Sequence, residues 1–166
     1  MTALWRVEVV PRSATLDSHG HQVLQTVREL GQTNIRSVLS SRLFLLDGPL
    51  DRAGAERIAT ELLTDPVTEQ FALTGQGEAI PAPANGSAVE VHLKPGVMDP
   101  VAASTELAIR DAGLRVEEVR TARRYVFTPP VDPAELRTLA AKVLANDCIE
   151  AVSYTHLRAH ETPEHL

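Results

Sequence analysis

The stretch VEVHLKPGVMDP, residues 89–100, decides the fold because it joins a strand to a helix through a turn. Val89 and Val91 alternate with polar residues, which is the pattern of a half-buried strand. Pro95-Gly96 then interrupts the alternation. Asp99-Pro100 follows, a capping aspartate directly before proline at the first helical position. We therefore predict a strand, a turn and a helix in that order.

The same order of residues occurs once before, near the N-terminus. The two copies match at an offset of 82, which falls to 81 after a shared glycine; the pairs include Val7 and Val89, Gly31 and Gly113, Arg42 and Arg123, and Glu69 and Glu150. Chance rarely keeps such a register over a whole segment, so we predict an internal repeat. The predicted units are 1–73 and 88–151, joined by a linker at 74–87 that is rich in Gly, Pro and Ala.

Each unit shows the order strand, helix, strand, strand, helix, strand. In the first unit the predicted elements are Leu4–Val10, Asp17–Leu30, Ile35–Leu39, Leu43–Leu46, Asp51–Thr64 and Val67–Leu73. This order is typical of a ferredoxin-like α+β fold, with a four-stranded antiparallel sheet and two helices in each unit. Because the central strands are apolar on both faces, we expect the units to pack together as a pseudo-dimer or to cover another domain.

The composition limits the function. The chain has 166 residues, 43% hydrophobic, with a mean hydropathy of −0.08, which indicates a globular protein. A net charge of −6 and an aromatic content of 4% argue against nucleic-acid binding. One cysteine excludes an intrachain disulfide framework and fits the reducing cytoplasm. No apolar run approaches the roughly 20 residues of a membrane-spanning helix, so we expect no membrane partner.

The C-terminal residues 152–166 contain three of the six histidines, His156, His160 and His165. Their spacing could place metal ligands on one helical face. However, the string from Val152 to Thr162 resembles the translation of a sequencing adapter. We therefore expect residues 152–166 to be non-native, and the natural chain to be the N-terminal fragment of a longer protein.

Other residues with catalytic potential have simpler explanations. Cys148 has no flanking glycines of the kind that expose a nucleophile, and we predict a small core residue. His19 and His21 are spaced two apart, which does not place them on one helical face. Arg123-Arg124 could hold a phosphate or a carboxylate, but a solvated edge or an interface ion pair is favoured. We predict no catalytic residue, no metal site and no cofactor site in this chain.

Residues 89–100 resemble the opening of PurS, the small subunit of phosphoribosylformylglycinamidine (FGAM) synthase, where a V-x-V-x-L-K-x-G-V-x-D-P type motif precedes the first helix. The resemblance continues through Val116–Arg120, Arg124-Tyr125 and Lys142–Glu150, and it covers about residues 4–151. The first copy has diverged, because it lacks the Lys-Pro-Gly turn. Two fused copies are similar to the N-terminal region of long forms of the synthase, where they stand in for a dimer of the separate subunit.

This resemblance implies a part in de novo purine biosynthesis, in which formylglycinamide ribonucleotide, ATP and glutamine give FGAM. In the family, ATP and Mg²⁺ belong to the large synthetase (PurL) domains, and a PurQ-type glutaminase releases ammonia. The resemblance implies that the PurS-like part is a non-catalytic bridge between these two partners and assists the transfer of ammonia. The residues expected at the interface are Lys94, Pro95, Gly96, Asp99, Arg123, Arg124 and Tyr125.

Two alternatives remain open. A tandem ACT-like regulatory module has the same element order and binds small effectors, but the first repeat has Ala14 where the second has Gly96. An RNA-recognition-type sheet would need exposed aromatic residues on its central strands, and only Tyr125 and Phe127 are available.

Overall fold

The computed structural model describes residues 2–146 and 148–155. Its elements in chain order are β1 (Ala3–Pro11), α1 (Ser18–Glu29), β2 (Ser37–Gly48), α2 (Arg52–Ile58) with a π-helical extension (Ala59–Leu63), β3 (Glu69–Gly75), β4 (Ser87–Leu93), α3 (Pro100–Asp111), β5 (Glu118–Thr128), α4 (Pro133–Leu139) with a π-helical extension (Ala140–Leu144), and β6 (Glu150–Thr155). The strands form a six-stranded sheet in the order β3-β1-β2-β5-β4-β6. Each strand of one repeat has its equivalent at the mirrored place in this order, which fits the predicted ferredoxin-like pseudo-dimer. The predicted α+β class is confirmed.

Capping aspartates precede the helices, as predicted for Asp99. Asp17 caps α1 and Asp99 caps α3, each by accepting a backbone N–H three residues ahead. Asp132 caps α4, and Pro133 occupies its first turn. Gly31 and Gly113 follow α1 and α3 with φ of +95° and +82°, which ends both helices in the left-handed conformation that glycine tolerates.

The prediction of two central strands in each repeat is wrong. The structure has one continuous strand, β2, where the sequence predicted separate strands at Ile35–Leu39 and Leu43–Leu46. The intervening Ser40-Ser41 includes no glycine or proline, so nothing breaks the extended backbone. In the second repeat, β5 is continuous in the same way.

The chain forms two compact units, and each contains elements of both repeats. Unit 1 contains β1, β2 from Ser41 onward, α2, β3, α3 and β5 up to Ala122. Unit 2 contains α1, β2 up to Ser40, β4, β5 from Arg123 onward, α4 and β6. The first helix of each repeat therefore belongs to the unit that holds the first strand of the other repeat. The predicted division at residues 73 and 88 follows the repeats along the chain, whereas the compact units divide it differently.

The core of unit 1 lies between its strands and its two helices. Val7 of β1 is opposite Phe44 of β2 in the antiparallel register, and both are buried. Ile58 of α2 and Ile109 of α3 are fully buried in the same cluster. Burial of each such side chain stabilises the fold by about 1.5–3 kcal/mol. Because Ile109 lies in α3, the second repeat contributes a helix to this core.

The core of unit 2 is built in the same way, from strands and helices of both repeats. Val91 of β4 and Val27 of α1 are buried in one cluster with Tyr125 and Leu136. β4 pairs antiparallel with β6, with Val91 opposite Val152. Thus α1 of the first repeat covers the strands of the second.

Candidate protein-interface site

The Lys94–Gly96 turn is exposed at the end of β4, in unit 2. Gly96 has φ of +85°, a conformation that L side chains rarely adopt, and open space surrounds the position of a Cβ. The Lys94 N–H donates to the Ile149 carbonyl at 2.7 Å, and the Val97 N–H donates to the Lys94 carbonyl at 3.1 Å. These bonds fix the turn beside the start of β6, so Lys94 and Pro95 are presented to solvent from a defined backbone.

Ile149, which sequence reasoning missed, is also exposed (41%) beside this turn. Cys148, its neighbour, is exposed as well, so the prediction of a core residue is wrong. The Cys148 N–H donates to the Asn146 side chain at 3.0 Å, forming a turn that points residue 148 outward. The same turn occurs at Val67, where the N–H donates to Asp65 at 2.9 Å and the side chain is 78% exposed. An Asx residue two positions earlier was the available signal.

Asp99 belongs to unit 1 and fixes α3 to a strand. Its carboxylate accepts the Ala102 N–H at 3.0 Å, the Thr121 N–H at 3.0 Å and the Thr121 hydroxyl at 2.8 Å. Asp17 does the same for α1 through Gly20 and Ser40. The Asp99 carboxylate is therefore engaged within the fold, and its role at an interface stays a prediction.

Arg123 lies in unit 2 and forms an ion pair with Glu150 of β6 at 2.7 Å. Its guanidinium also donates to the Leu144 carbonyl at 3.3 Å and lies 5.9 Å from the centre of the Tyr125 ring. The first repeat has the same arrangement 81 positions earlier, in Arg42 with Glu69, the Leu63 carbonyl and the Phe44 ring. Such repetition indicates that Arg123 joins the helix end to the last strand, a role inside the fold.

Arg124 is buried on the opposite face of β5, with 8% of its surface exposed. Its Nη2 donates to the Pro81 carbonyl at 3.3 Å, and its Nε is 3.8 Å from a carboxylate oxygen of Glu90. His92 shares that carboxylate at 3.0 Å. A buried charge held by these partners is not presented to a ligand in solution.

Tyr125 is fully buried, and its hydroxyl shares a hydrogen bond of 2.8 Å with Nε2 of His19. Burial raises the pKa of the Tyr125 phenol; Arg123 opposes this shift, while Glu150 and Asp17 add to it. Phe127 is also fully buried. An RNA-recognition-type sheet needs exposed aromatic rings, so the burial of both contradicts that alternative.

Within residues 2–146 and 148–155, no group of three or more His, Cys, Asp or Glu side chains is placed to hold a metal ion. His156, His160 and His165 lie outside the described residues. In the described part of the chain, no helix has the length and apolar character needed to span a bilayer.

Comparison with known proteins gives one family. The PurS model, described as phosphoribosylformylglycinamidine (FGAM) synthase, matches residues 4–77 and 87–158, so it covers both repeats and most of the chain. A search of curated proteins found no match. The second match extends past residue 151 into the segment predicted to derive from an adapter, of which the structure describes 152–155 as part of β6. The adapter origin of residues 152–166 stays a prediction.

Proposed function

Because the chain belongs to the PurS family of FGAM synthase, we propose that it is the non-catalytic part that bridges the synthetase (PurL) and PurQ-type glutaminase parts. The family places the chain in FGAM synthase and purine biosynthesis. The observation that carries the finer proposal is the tandem match, because one chain then holds two copies of a subunit family that serves assembly.

The chemistry of the pathway gives the bridge a purpose. Glutamine hydrolysis yields ammonia, which is protonated and diluted if it reaches bulk water before it meets the acceptor. A protein that holds the two active sites in register limits that loss. As the family resemblance implies, we place ATP and Mg²⁺ on the synthetase part. The single cysteine of this chain fits the cytoplasm, where we place the protein.

The Lys94–Gly96 turn is the part of the predicted interface that is best presented for contact. Its backbone is fixed by the bond from Lys94 to Ile149, and its side chains are exposed. A fixed, exposed turn loses little conformational freedom when a partner binds. Lys94 supplies a cation on a chain with a net charge of −6, so it suits an acidic site on the partner.

The test replaces Lys94-Pro95-Gly96 by Ser-Ser-Ala in the complete synthase, with all its parts present. We expect glutamine-dependent kcat/KM to fall about tenfold, while ammonia-dependent activity stays within about twofold, because only the first needs the bridge. The matched control is Arg12→Ser, 82 positions before Lys94 in the first repeat, which leaves the same Ser-Ser-Ala sequence at residues 12–14. An equal loss of both activities, or an equal effect of the control, contradicts the assignment.

A further inference from the structure

Unit 1 has a groove of about 390 Å³ between the π-helical extension of α2 and the exposed face of α3. Leu62 and Val101 form its walls, and they are 38% and 55% exposed. Ser104 and Ala108 also line it along α3, one turn apart. The groove is thus an open trough lined by apolar and short side chains.

The first repeat has different side chains at the equivalent positions of α1. Val101, Ser104 and Ala108 correspond, at the offset of 82, to His19, Gln22 and Thr26. His19 is drawn onto Tyr125 by their shared hydrogen bond, with ring centres 5.6 Å apart. Longer polar side chains therefore occupy in one repeat the positions that are short or apolar in the other. Val101 thus leaves exposed apolar surface where α1 has a histidine, and exposed apolar patches of this kind mark interaction sites.

The charge around the groove is negative. Asp65 follows the groove wall, and its hydrogen bond from the Val67 N–H lowers the pKa of its carboxyl group, which keeps it ionised. Asp111 is exposed on α3, three residues after Ala108 and on the same stripe. The neighbouring arginines are paired with glutamates one turn away, as Arg57 with Glu61 and Arg110 with Glu106.

We propose that this groove binds an amphipathic helix of a partner protein, with an apolar stripe flanked by lysine or arginine. A trough between two helices accepts a third helix through apolar anchors one or two turns apart. Basic residues beside those anchors would meet Asp65 and Asp111 at the rim. The inference goes beyond the bridging function, because it concerns unit 1 rather than the Lys94–Gly96 turn of unit 2.

The test measures binding to the whole chain by fluorescence anisotropy, so it does not depend on synthase activity. The probe is a labelled synthetic helix of about 20 residues, with leucines at helical spacing and lysines beside them. Its control is the same composition in scrambled order. Ser104→Arg places a cation and a long side chain in the groove, and we expect it to weaken binding about tenfold. Gln22→Arg makes the same change at the equivalent exposed position of α1, and we expect less than about a twofold effect.

Four results would overturn the proposal. Equal binding of the scrambled peptide, or equal weakening by both variants, would show only general attraction to an acidic chain. A lack of any saturable binding would remove the site. Sedimentation velocity tests whether a second copy of the chain occupies the groove. A dimer that Ser104→Arg dissociates would assign the groove to that second copy.

Discussion

Replacement of Asp17 by alanine should destabilise the fold far more than removal of an ordinary helix cap. Asp17 is 4% exposed, and its carboxylate accepts three hydrogen bonds. One comes from the Gly20 N–H at 2.9 Å and caps α1. The others come from the Ser40 N–H at 2.6 Å and the Ser40 hydroxyl at 2.5 Å, and they tie the helix to β2.

The cost follows from these three bonds. Loss of a capping side chain costs about 1 kcal/mol. A hydrogen bond to a charged group contributes about 1.5–3 kcal/mol, and the lower value applies here because Ser40 is half-buried and can bind water after the change. We therefore expect Asp17→Ala to lower the free energy of unfolding by about 4 kcal/mol, or Tm by about 10 °C for a chain of this length.

Urea unfolding followed by far-UV circular dichroism measures this loss. The matched control is Asp51→Ala, because Asp51 is an exposed cap of α2 that accepts the Gly54 N–H at 2.8 Å. We expect the control to cost about 1 kcal/mol. Asp17→Asn keeps one acceptor oxygen and should fall between the two. If Asp17→Ala costs no more than Asp51→Ala, the strand bonds contribute nothing and the reasoning fails.

Three further predictions use the same measurement of stability. Burial raises the pKa of the Tyr125 phenol in the folded chain, so on raising the pH the unfolded chain loses its phenolic proton first. The stability that the protonated phenol contributes is therefore complete below about pH 10 and is lost as the pH rises towards the folded pKa. Tyr125→Phe should therefore flatten the loss of stability above about pH 10, and an unchanged slope would contradict the assignment. Gly20→Ala should cost about 3 kcal/mol of stability, because the new Cβ would lie 2.5 Å from a carbonyl oxygen of β2. Ala102→Gly, at the equivalent position of the second repeat, should cost about 1 kcal/mol. If Ala102→Gly costs more than Gly20→Ala, the helix does not approach the strand this closely. Arg42→Met and Arg123→Met should each cost about 1 kcal/mol or less, because both side chains are at least 40% exposed, and a cost above about 2 kcal/mol in either would contradict this.

The repeat made much of the fold predictable, because the residues that fix local structure recur at a constant offset. Aspartates before the helices and glycines after them set the ends of α1 and α3 where expected. The offset also paired Arg42 with Arg123 and Glu69 with Glu150. In the structure Arg42 forms an ion pair with Glu69, and Arg123 forms the equivalent ion pair with Glu150.

The candidate site was less predictable, because residue type does not reveal which face of a strand is covered. Arg124 and Tyr125 were expected at an interface, yet both are buried within unit 2. Cys148 was expected in the core as a small residue, but it is exposed. Val67, at the equivalent position of the first repeat, is exposed as well, so apolar character did not indicate burial at either position. In both repeats the turn is set by the side chain two residues earlier, a local effect that hydrophobicity does not report.

The placement of the first helices could not be inferred at all, for a physical reason. Helical periodicity shows which face of α1 and α3 is apolar, but the two repeats offer nearly identical apolar sheets, so the sequence cannot choose between them. The structure places each helix in the unit with the other repeat's first strand. Neither repeat therefore completes its own core along the chain.

Fusion of the two copies in one chain explains how they could diverge. In a dimer of identical subunits, every substitution appears twice and must suit both positions. In a fused chain each position appears once, and the connection holds the second copy at high effective concentration. A glycine can then serve at residue 20 while alanine serves at 102, and a Lys-Pro-Gly turn can persist at 94–96 while residues 12–14 become Arg-Ser-Ala. The exposed Val101, at the position equivalent to the polar His19, is the same freedom applied to the surface, because it gives the two copies unlike helix faces.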